Sequence, residues 1–379
     1  MRDVVIVEAV RAPIGRRGGS LSGWLPTHLA AHVLRELVTR ALIDPALIED
    51  VIFGCVTPLG EQGANITRLA VLQAGLPVEV PALTLNRMCG SGQQAIHFAA
   101  QAIAAGDMNV VVAGGIEMMS RVPLGADWPT DWPPDFPYPL VNQGLSAEMV
   151  AEKWHLSRAQ LDQFSYESHV KAAAATRRGD FVKEIVPIEF TAPDGTTNCL
   201  KYDEGIRLEP DVAKMAQLRP AFKPDGVITA GNASQISDGS AAVLLMSLDK
   251  ALELGLKPRA RLVARLVVGS DPVIMLTGPI PATRKVLERA GLTIGQIDAI
   301  EINEAFASVV LAWQAEIEPD PARVNPNGGA IAHGHPLGAT GAILMTKLLH
   351  HLERTGGRYG LQTMCIGHGM ATATIIERL

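Results

Sequence analysis

Residues 85–115 read LNRMCGSGQQAIHFAAQAIAAGDMNVVVAGG. A short extended segment runs into a cysteine flanked by a glycine, then an apolar helix, then a valine-rich run closed by two glycines. Ala95, Ile96, Ala99, Ala100 and Ile103 recur at helical spacing. The run from Asn109 to Gly115 has the length and β-branched bias of a buried strand. Strand and helix in alternation predict a covered α/β sheet. The unpaired N–H groups at the helix start point at Cys89, and such a setting lowers a thiol pKa from about 8.5 towards neutrality. A buried core cysteine is the competing reading.

The pattern continues outward in both directions. VVIVEAV (4–10), DVIFG (50–54) and ALTLN (82–86) read as strands, and Thr27 to Arg40 as a helix. Beyond Gly115 the stretch RVPLGADWPTDWPPDFPYPLVNQG (121–144) is crowded with Pro, Trp and Asp, so it continues neither a helix nor a central strand and reads as a loop or lid. Ser146 to Gly179 reads as two helices, each opened by a serine. From Ala241 the alternation resumes with AAVLLMS, RLVARLVVGS, IDAIEINEAFA and RYGLQTMCIG. The bend and helix around Cys89 recur as VNPNGGAIAHGHPLGATG (324–341) followed by AILMTKLLHHLER, which predicts an internal repeat. The expected division is 1–118 for one half, 119–248 for an inserted lid region and 249–379 for the other half.

The chain has 379 residues, 47% hydrophobic and 19% charged, with a net charge of −6. That balance argues against a nucleic-acid surface, which needs clustered Lys and Arg. Cys55, Cys89, Cys199 and Cys365 lie far apart with no CxxC spacing, so neither a zinc ribbon nor a redox pair is encoded, and a reducing compartment is expected. Asp3 and Glu8 interrupt the first apolar run, which excludes a secretory signal, and no apolar run reaches the ~20 residues of a membrane span. The expectation is a soluble, cytoplasmic protein.

Three further stretches carry chemistry. His335 precedes Pro336 in a bend rich in glycine and can serve as a base towards a thiol or as an oxyanion donor. A capping histidine is the plainer reading, and a metal site with His333 lacks further ligands at suitable spacing. Cys365 ends a strand in TMCIGHGMATATIIERL, as a second thiol or as a core cysteine. Asn303 and Glu304 in EINEAFA lie between a strand and a helix, where an N-cap is the alternative.

In order, VRAPIGRRGGSL (10–21), CGSG at Cys89, AGNAS (230–234), NEAFA (303–307), the His335 stretch and CIG (365–367) resemble the thiolase family of acetyl-CoA acyltransferases, over essentially the whole chain. The resemblance implies the thiolase fold, duplicated βαβαβαββ halves in a five-layer α-β-α-β-α arrangement with an inserted lid. It implies that Cys89 is the nucleophile, that His335 activates it and that Cys365 is the acid and base. One oxyanion hole would be His335 with a water held by Asn303, the other the backbone N–H groups of Cys89 and Gly367. Arg219, Ser234 and Phe306 match positions that contact coenzyme A. No permanently bound cofactor and no metal are implied; CoA is a substrate. A homodimer is usual, with a homotetramer or a complex with a β-oxidation hydratase/dehydrogenase subunit as larger assemblies.

The reaction so implied is thiolysis of a 3-ketoacyl-CoA in the degradative direction, with biosynthetic acetoacetyl-CoA condensation as the alternative. A β-ketoacyl synthase would use one Cys with two His, and Cys365 argues against it. A non-catalytic acyl-CoA-binding relative predicts loss of Cys89, His335 or Cys365, and all three are present. The chain departs from the family pattern at His333, at His368 beside the second thiol, and at Asn142 and Gln143, which bring polarity where acyl chains pass.

Overall fold

A computed structural model describes residues 2–192 and 194–379. Its strands are β1 (Val4–Arg11), the two-residue β2 (Gly15–Arg16), β3 (Asp50–Gly54), β4 (Ala82–Leu85), β5 (Val110–Met118), β6 (Ile188–Thr191), β7 (Thr197–Leu200), β8 (Ser237–Ser247), β9 (Ala260–Gly269), β10 (Ala299–Ile302), β11 (Tyr359–Ile366) and β12 (Met370–Arg378). The main sheet has ten strands in the order β10-β11-β12-β9-β1-β8-β5-β3-β4, with β2 on β8, and its narrow β9–β1 junction divides it into a first sheet, β4-β3-β5-β8-β1, and a second, β10-β11-β12-β9. They meet through two residue pairs, Val5 with Arg261 and Ile6 with Ala260.

The two sheets repeat one plan. In the first, β3 runs parallel to β4 and β5, while β5 and β1 flank β8 antiparallel. In the second, β10 runs parallel to β11, and β11 and β9 flank β12 antiparallel. The counterpart of β4 has shrunk to a single parallel bridge between Ile300 and Val324. Pro319, Pro321 and Pro326 crowd that segment, and proline cannot donate to a ladder. The expected internal repeat is therefore present in strand order and direction.

Helices separate and cover the sheets. Ser91–Ala105 and Leu337–Thr355 pack side by side between the sheets, with Ala95, Ile96, Ala99, Ile343, Met345 and Leu348 in one core. Pro26–Ala41 and Ile66–Ala74 cover the outer face of the first sheet, and Pro279–Ala290 with Ala307–Ile317 covers the second. These are the five layers. Leu337–Thr355 is buried all round as far as His350, which explains an apolar pattern too broad for a surface helix, whereas Ser91–Ala105 leaves Phe98, Gln101 and Ala105 exposed along one side. Their buried polar groups are paired across layers: the Gln93 amide donates to Thr374 Oγ1 at 2.7 Å, and Thr372 Oγ1 donates back to Gln93 Oε1 at 2.7 Å.

Between β5 and β8 lies the inserted region, with helices Gln143–Lys153 and Arg158–Arg178 and the β6–β7 hairpin. The second helix opens on the expected serine: Ser157 and Gln160 form a capping box, and Gly179 ends it. The first does not open at Ser146. Asn142 caps it three residues into the loop, and Ser146 instead donates to the Val273 carbonyl at 2.6 Å. A second difference concerns the lid boundary. Ser237–Ser247 lies within the expected 119–248 lid segment, yet it forms β8, at the heart of the first sheet. Arg11 anchors the insertion, bonding Glu184 at 2.8 Å and Asp203 at 2.7 Å, all three side chains buried. No helix is long and apolar enough to cross a membrane among the described residues.

Candidate active site

Cys89 and His335 occupy the same place in the two halves, each two residues ahead of a central helix, Ser91–Ala105 or Leu337–Thr355. Small residues press the starts of those helices together. A Cβ on Gly92 would lie 2.7 Å from the Gly338 carbonyl oxygen, and one on Gly341 only 2.0 Å from the Gln93 nitrogen. The repeat thus delivers thiol and imidazole to one region.

Strain and local bonds aim the thiol. Met88 is left-handed, φ 47°, immediately before Cys89. Asn86 Oδ1 accepts from the Met88 N–H at 2.7 Å, while the Ser91 hydroxyl donates to the Met88 carbonyl at 2.6 Å and accepts from the Arg87 N–H at 2.9 Å. Around the sulfur stand the N–H groups of Gly367 and of Cys89 itself and the Gln143 side chain, each favouring the thiolate. Burial wins nonetheless and pushes the Cys89 thiol up to about 11. The lowered pKa expected from the helix start is therefore overturned: desolvation of the anion exceeds what the N–H groups return.

Gly334 holds φ 111°, and a Cβ there would meet Ser237 Oγ at 2.2 Å, so only glycine allows the bend before His335. The tautomer follows from the bonding. Thr340 spends its one hydroxyl proton on the Pro336 carbonyl at 2.8 Å, so its oxygen accepts from His335 Nδ1–H at 2.7 Å. Nε2 is then bare and takes the Asn303 Nδ2–H at 3.3 Å. Burial drives His335 down to about 4, which keeps the ring neutral and basic at Nε2.

Cys365 and Asn303 come from neighbouring strands, β11 and the end of β10, joined where Asn303 N–H donates to the Thr363 carbonyl at 3.0 Å. Burial raises the Cys365 thiol, and charge on the nearby Cys89 raises it further. Asn303 Oδ1 is buried and has no hydrogen-bond partner among the described residues. Neither Asn303 nor Glu304 caps a helix; the next one begins at Ala307. Glu304 instead ties the His335 loop down, accepting from Asn325 Nδ2 at 2.8 Å, from Ser168 Oγ at 2.7 Å and from the Ile331 N–H at 3.2 Å.

A cavity of about 420 Å³ opens over Cys89, lined also by Gly367, Phe306, Gln143, Asn142 and His368 among others, while His335, Cys365 and Asn303 lie outside its lining. Phe306 packs edge-on against Phe222, which shares the cavity wall. Ser234 does not line it, although its N–H donates to the Ala305 carbonyl at 2.9 Å beside Phe306. Arg219 is exposed and outside the cavity. A Cβ on Gly367 would touch only the Met88 side chain, at 3.4 Å, so packing within the chain does not demand this glycine. The close approach is at Gly90, where a Cβ would meet the Ile366 side chain at 2.3 Å.

His333 lies apart from the site. It is buried with Nδ1 2.7 Å from Asp203 Oδ2 and Nε2 2.9 Å from the Asn327 carbonyl, and so joins the Arg11 anchor. Glu117 went unread in the sequence. This buried carboxylate accepts from the N–H groups of Val56 at 2.7 Å and Gly338 at 2.9 Å and so links the first sheet to the loop after His335. Its signal is a lone charge inside the apolar strand β5.

Comparison with known proteins gives family matches across the chain. The thiolase N-terminal domain matches residues 4–133 and 135–249, and the thiolase C-terminal domain matches 256–378. A steroid 3-ketoacyl-CoA thiolase of Mycobacterium tuberculosis is 50% identical over all of this chain and 95% of its own length. A 3-ketoacyl-CoA thiolase of Vibrio cholerae and one of Aeromonas hydrophila are each 46% identical over the full length of both chains.

Proposed function

The chain belongs to the thiolase family and is therefore an acyltransferase, and from that premise we propose that it cleaves a 3-ketoacyl-CoA with CoA to acetyl-CoA and a shortened acyl-CoA. The observation that supports this reading is that Cys89 and a neutral His335 each stand two residues ahead of one of two equivalent helices whose starts touch.

The Cys89 proton passes to His335 Nε2 as the sulfur attacks the keto carbon. The developing oxyanion needs donors already in place, which the Cys89 and Gly367 N–H groups, or His335 with Asn303, supply. The Cα–Cβ bond then breaks, and the leaving enolate of acetyl-CoA takes its proton at carbon from the Cys365 thiol. In the second half, CoA gives its thiol proton to the Cys365 thiolate and attacks the acyl-Cys89 thioester. Cys89 departs as thiolate and recovers its proton from His335. With a thiol of about 11 and an imidazole of about 4, a free ion pair is unfavourable, so proton transfer accompanies attack. No group beyond the chain and CoA is required. Phe306 and the neighbouring Ser234 backbone would flank the pantetheine arm, with Arg219 at the nucleotide end.

A homodimer fits one surface. Strand β4 pairs on one side only among the described residues, and Leu83 on it is exposed, as are Leu69 and Leu72 on the helix Ile66–Ala74 that packs against β4. An open strand edge of this kind suits pairing with a second copy. Degradation of acyl chains by β-oxidation in the cytoplasm is the setting that suits reduced thiols and a CoA-linked substrate.

The test is CoA-dependent loss of acetoacetyl-CoA and of longer 3-ketoacyl-CoAs. Cys89→Ala is expected to be inactive, and Cys365→Ala to accept an acyl group on Cys89 yet turn over poorly. Native-like turnover in either variant would sink the assignment.

A further inference from the structure

Residues 127–139 hold a short repeat that the chemistry above does not use: Asp127-Trp128-Pro129, Asp131-Trp132-Pro133 and Asp135-Phe136-Pro137, then Tyr138-Pro139. Every aromatic residue of the stretch stands directly before a proline. A residue in that position is kept out of the helical region, and proline fixes its own φ, so the aromatic side chains hang from a backbone with few alternatives. Edge-to-face contacts join them into a wall. The Trp132 and Phe136 centroids are 5.5 Å apart, and those of Phe136 and Tyr138 6.4 Å.

This wall, with Leu140 and Pro272, bounds a second cavity of about 560 Å³. It adjoins the first. Trp128, Val141, Asn142, Met275 and His368 line both the chamber and the cavity over Cys89. Trp128 and His368 face one another with centroids 6.1 Å apart, and the left-handed backbone of His368, φ 62°, presents the ring there.

Two properties limit what fits. The wall leaves large apolar rings open to water, with Trp128 48%, Phe136 42% and Tyr138 51% exposed, so an apolar occupant gains by covering them. Proline beside each ring also restricts the backbone, so binding has less of the protein to order, and a ligand that is itself rigid loses least. Among the described residues no Lys, Arg, Asp or Glu lines the chamber, so a neutral group suits it. We infer that this chamber receives the part of the substrate beyond the 3-keto carbon, and that it selects a neutral, ring-bearing acyl group over a straight chain. The inference rests on the thiolase reading, since it is Cys89 that fixes where the acyl group starts.

The experiment compares kcat/KM for two 3-ketoacyl-CoAs of equal carbon number, one straight and one ending in a fused bicyclic ring, with acetoacetyl-CoA assayed alongside on the native chain. The native chain should prefer the ring by at least about tenfold. Trp132→Ala, which alters the outer chamber only, should collapse that ratio towards unity, and Trp132→Phe should restore most of it. Phe136→Ala supplies the same reading should Trp132→Ala not fold. A native preference for the straight chain, or none, overturns the inference. So does a Trp132→Ala variant that slows both substrates equally, or one that changes oligomeric state at an unchanged ratio, which would assign the wall to a second copy. Failure to cleave acetoacetyl-CoA at all removes the thiolase reading itself, a different result from cleavage without ring preference.

Discussion

At the scale of the residue, the site is a set of neutral groups held ready rather than a preformed ion pair. Cys89 is pushed up to about 11 and His335 down to about 4 by the same burial. In the free protein the thiolate fraction therefore grows about tenfold per pH unit through the neutral and mildly alkaline range. Alkylation of Cys89 by iodoacetamide should climb with that slope from pH 7 to pH 9. A plateau near neutrality would mean that the helix start and the Gly367 N–H outweigh desolvation after all. Cys89, His335 and Cys365 were legible from their local patterns and from the family resemblance. The bonds of Asn86 and Thr340 were not, nor was the contact of Gln143 with the Cys89 sulfur, although its polarity near the acyl path was read, because what these residues do depends on which atom of a neighbour they meet. Thr340 illustrates this: its spacing from His335 suggests nothing until its proton is seen to go to Pro336. His333, to which the sequence assigned no role, is a buried anchor on Asp203.

At the scale of the element, two central helices and their contact decide the catalytic geometry. Gly341 lies where a side chain would strike the backbone of Gln93, a part of the neighbouring helix with no room to yield. Gly341→Ala should cost about 1–3 kcal/mol as overpacking does, and should lower activity further by parting Cys89 from His335. Chemical denaturation together with kcat checks both effects; unchanged stability and rate would show that the helix contact does not set the site. Strand and helix alternation was readable along nearly all of the chain because buried strands and a buried helix pair leave strong apolar runs. The start of β8 was not. Ser237-Asp238-Gly239-Ser240 has the letters of a turn, yet its side chains find partners within the fold: Asp238 Oδ1 takes the Ser120 N–H at 2.8 Å, Ser237 Oγ donates to the Gln235 carbonyl at 2.9 Å, and Ser240 Oγ donates to the Gly115 carbonyl at 2.9 Å. The third strand of the second half was likewise hidden, since prolines reduce it to one bridge.

At the scale of the molecule, duplication explains how residues 246 positions apart, Cys89 and His335, come to one region. Each half contributes the same bend ahead of the same helix, and the lid, tied down by Arg11, Glu184 and Asp203, roofs the place where they meet. The open β4 edge extends the plan to a second copy. Leu83→Asp should give a monomer by light scattering where the native chain is a dimer, and a dimer that survives the substitution would place the interface elsewhere. What carries the acyl group is the claim on which the rest stands. Intact mass measurement after incubation with an acyl-CoA and no free CoA should find one added acyl group per chain, located on Cys89 by peptide mapping and erased when CoA is added. An acyl group on Cys365, or none on the protein at all, would contradict the account.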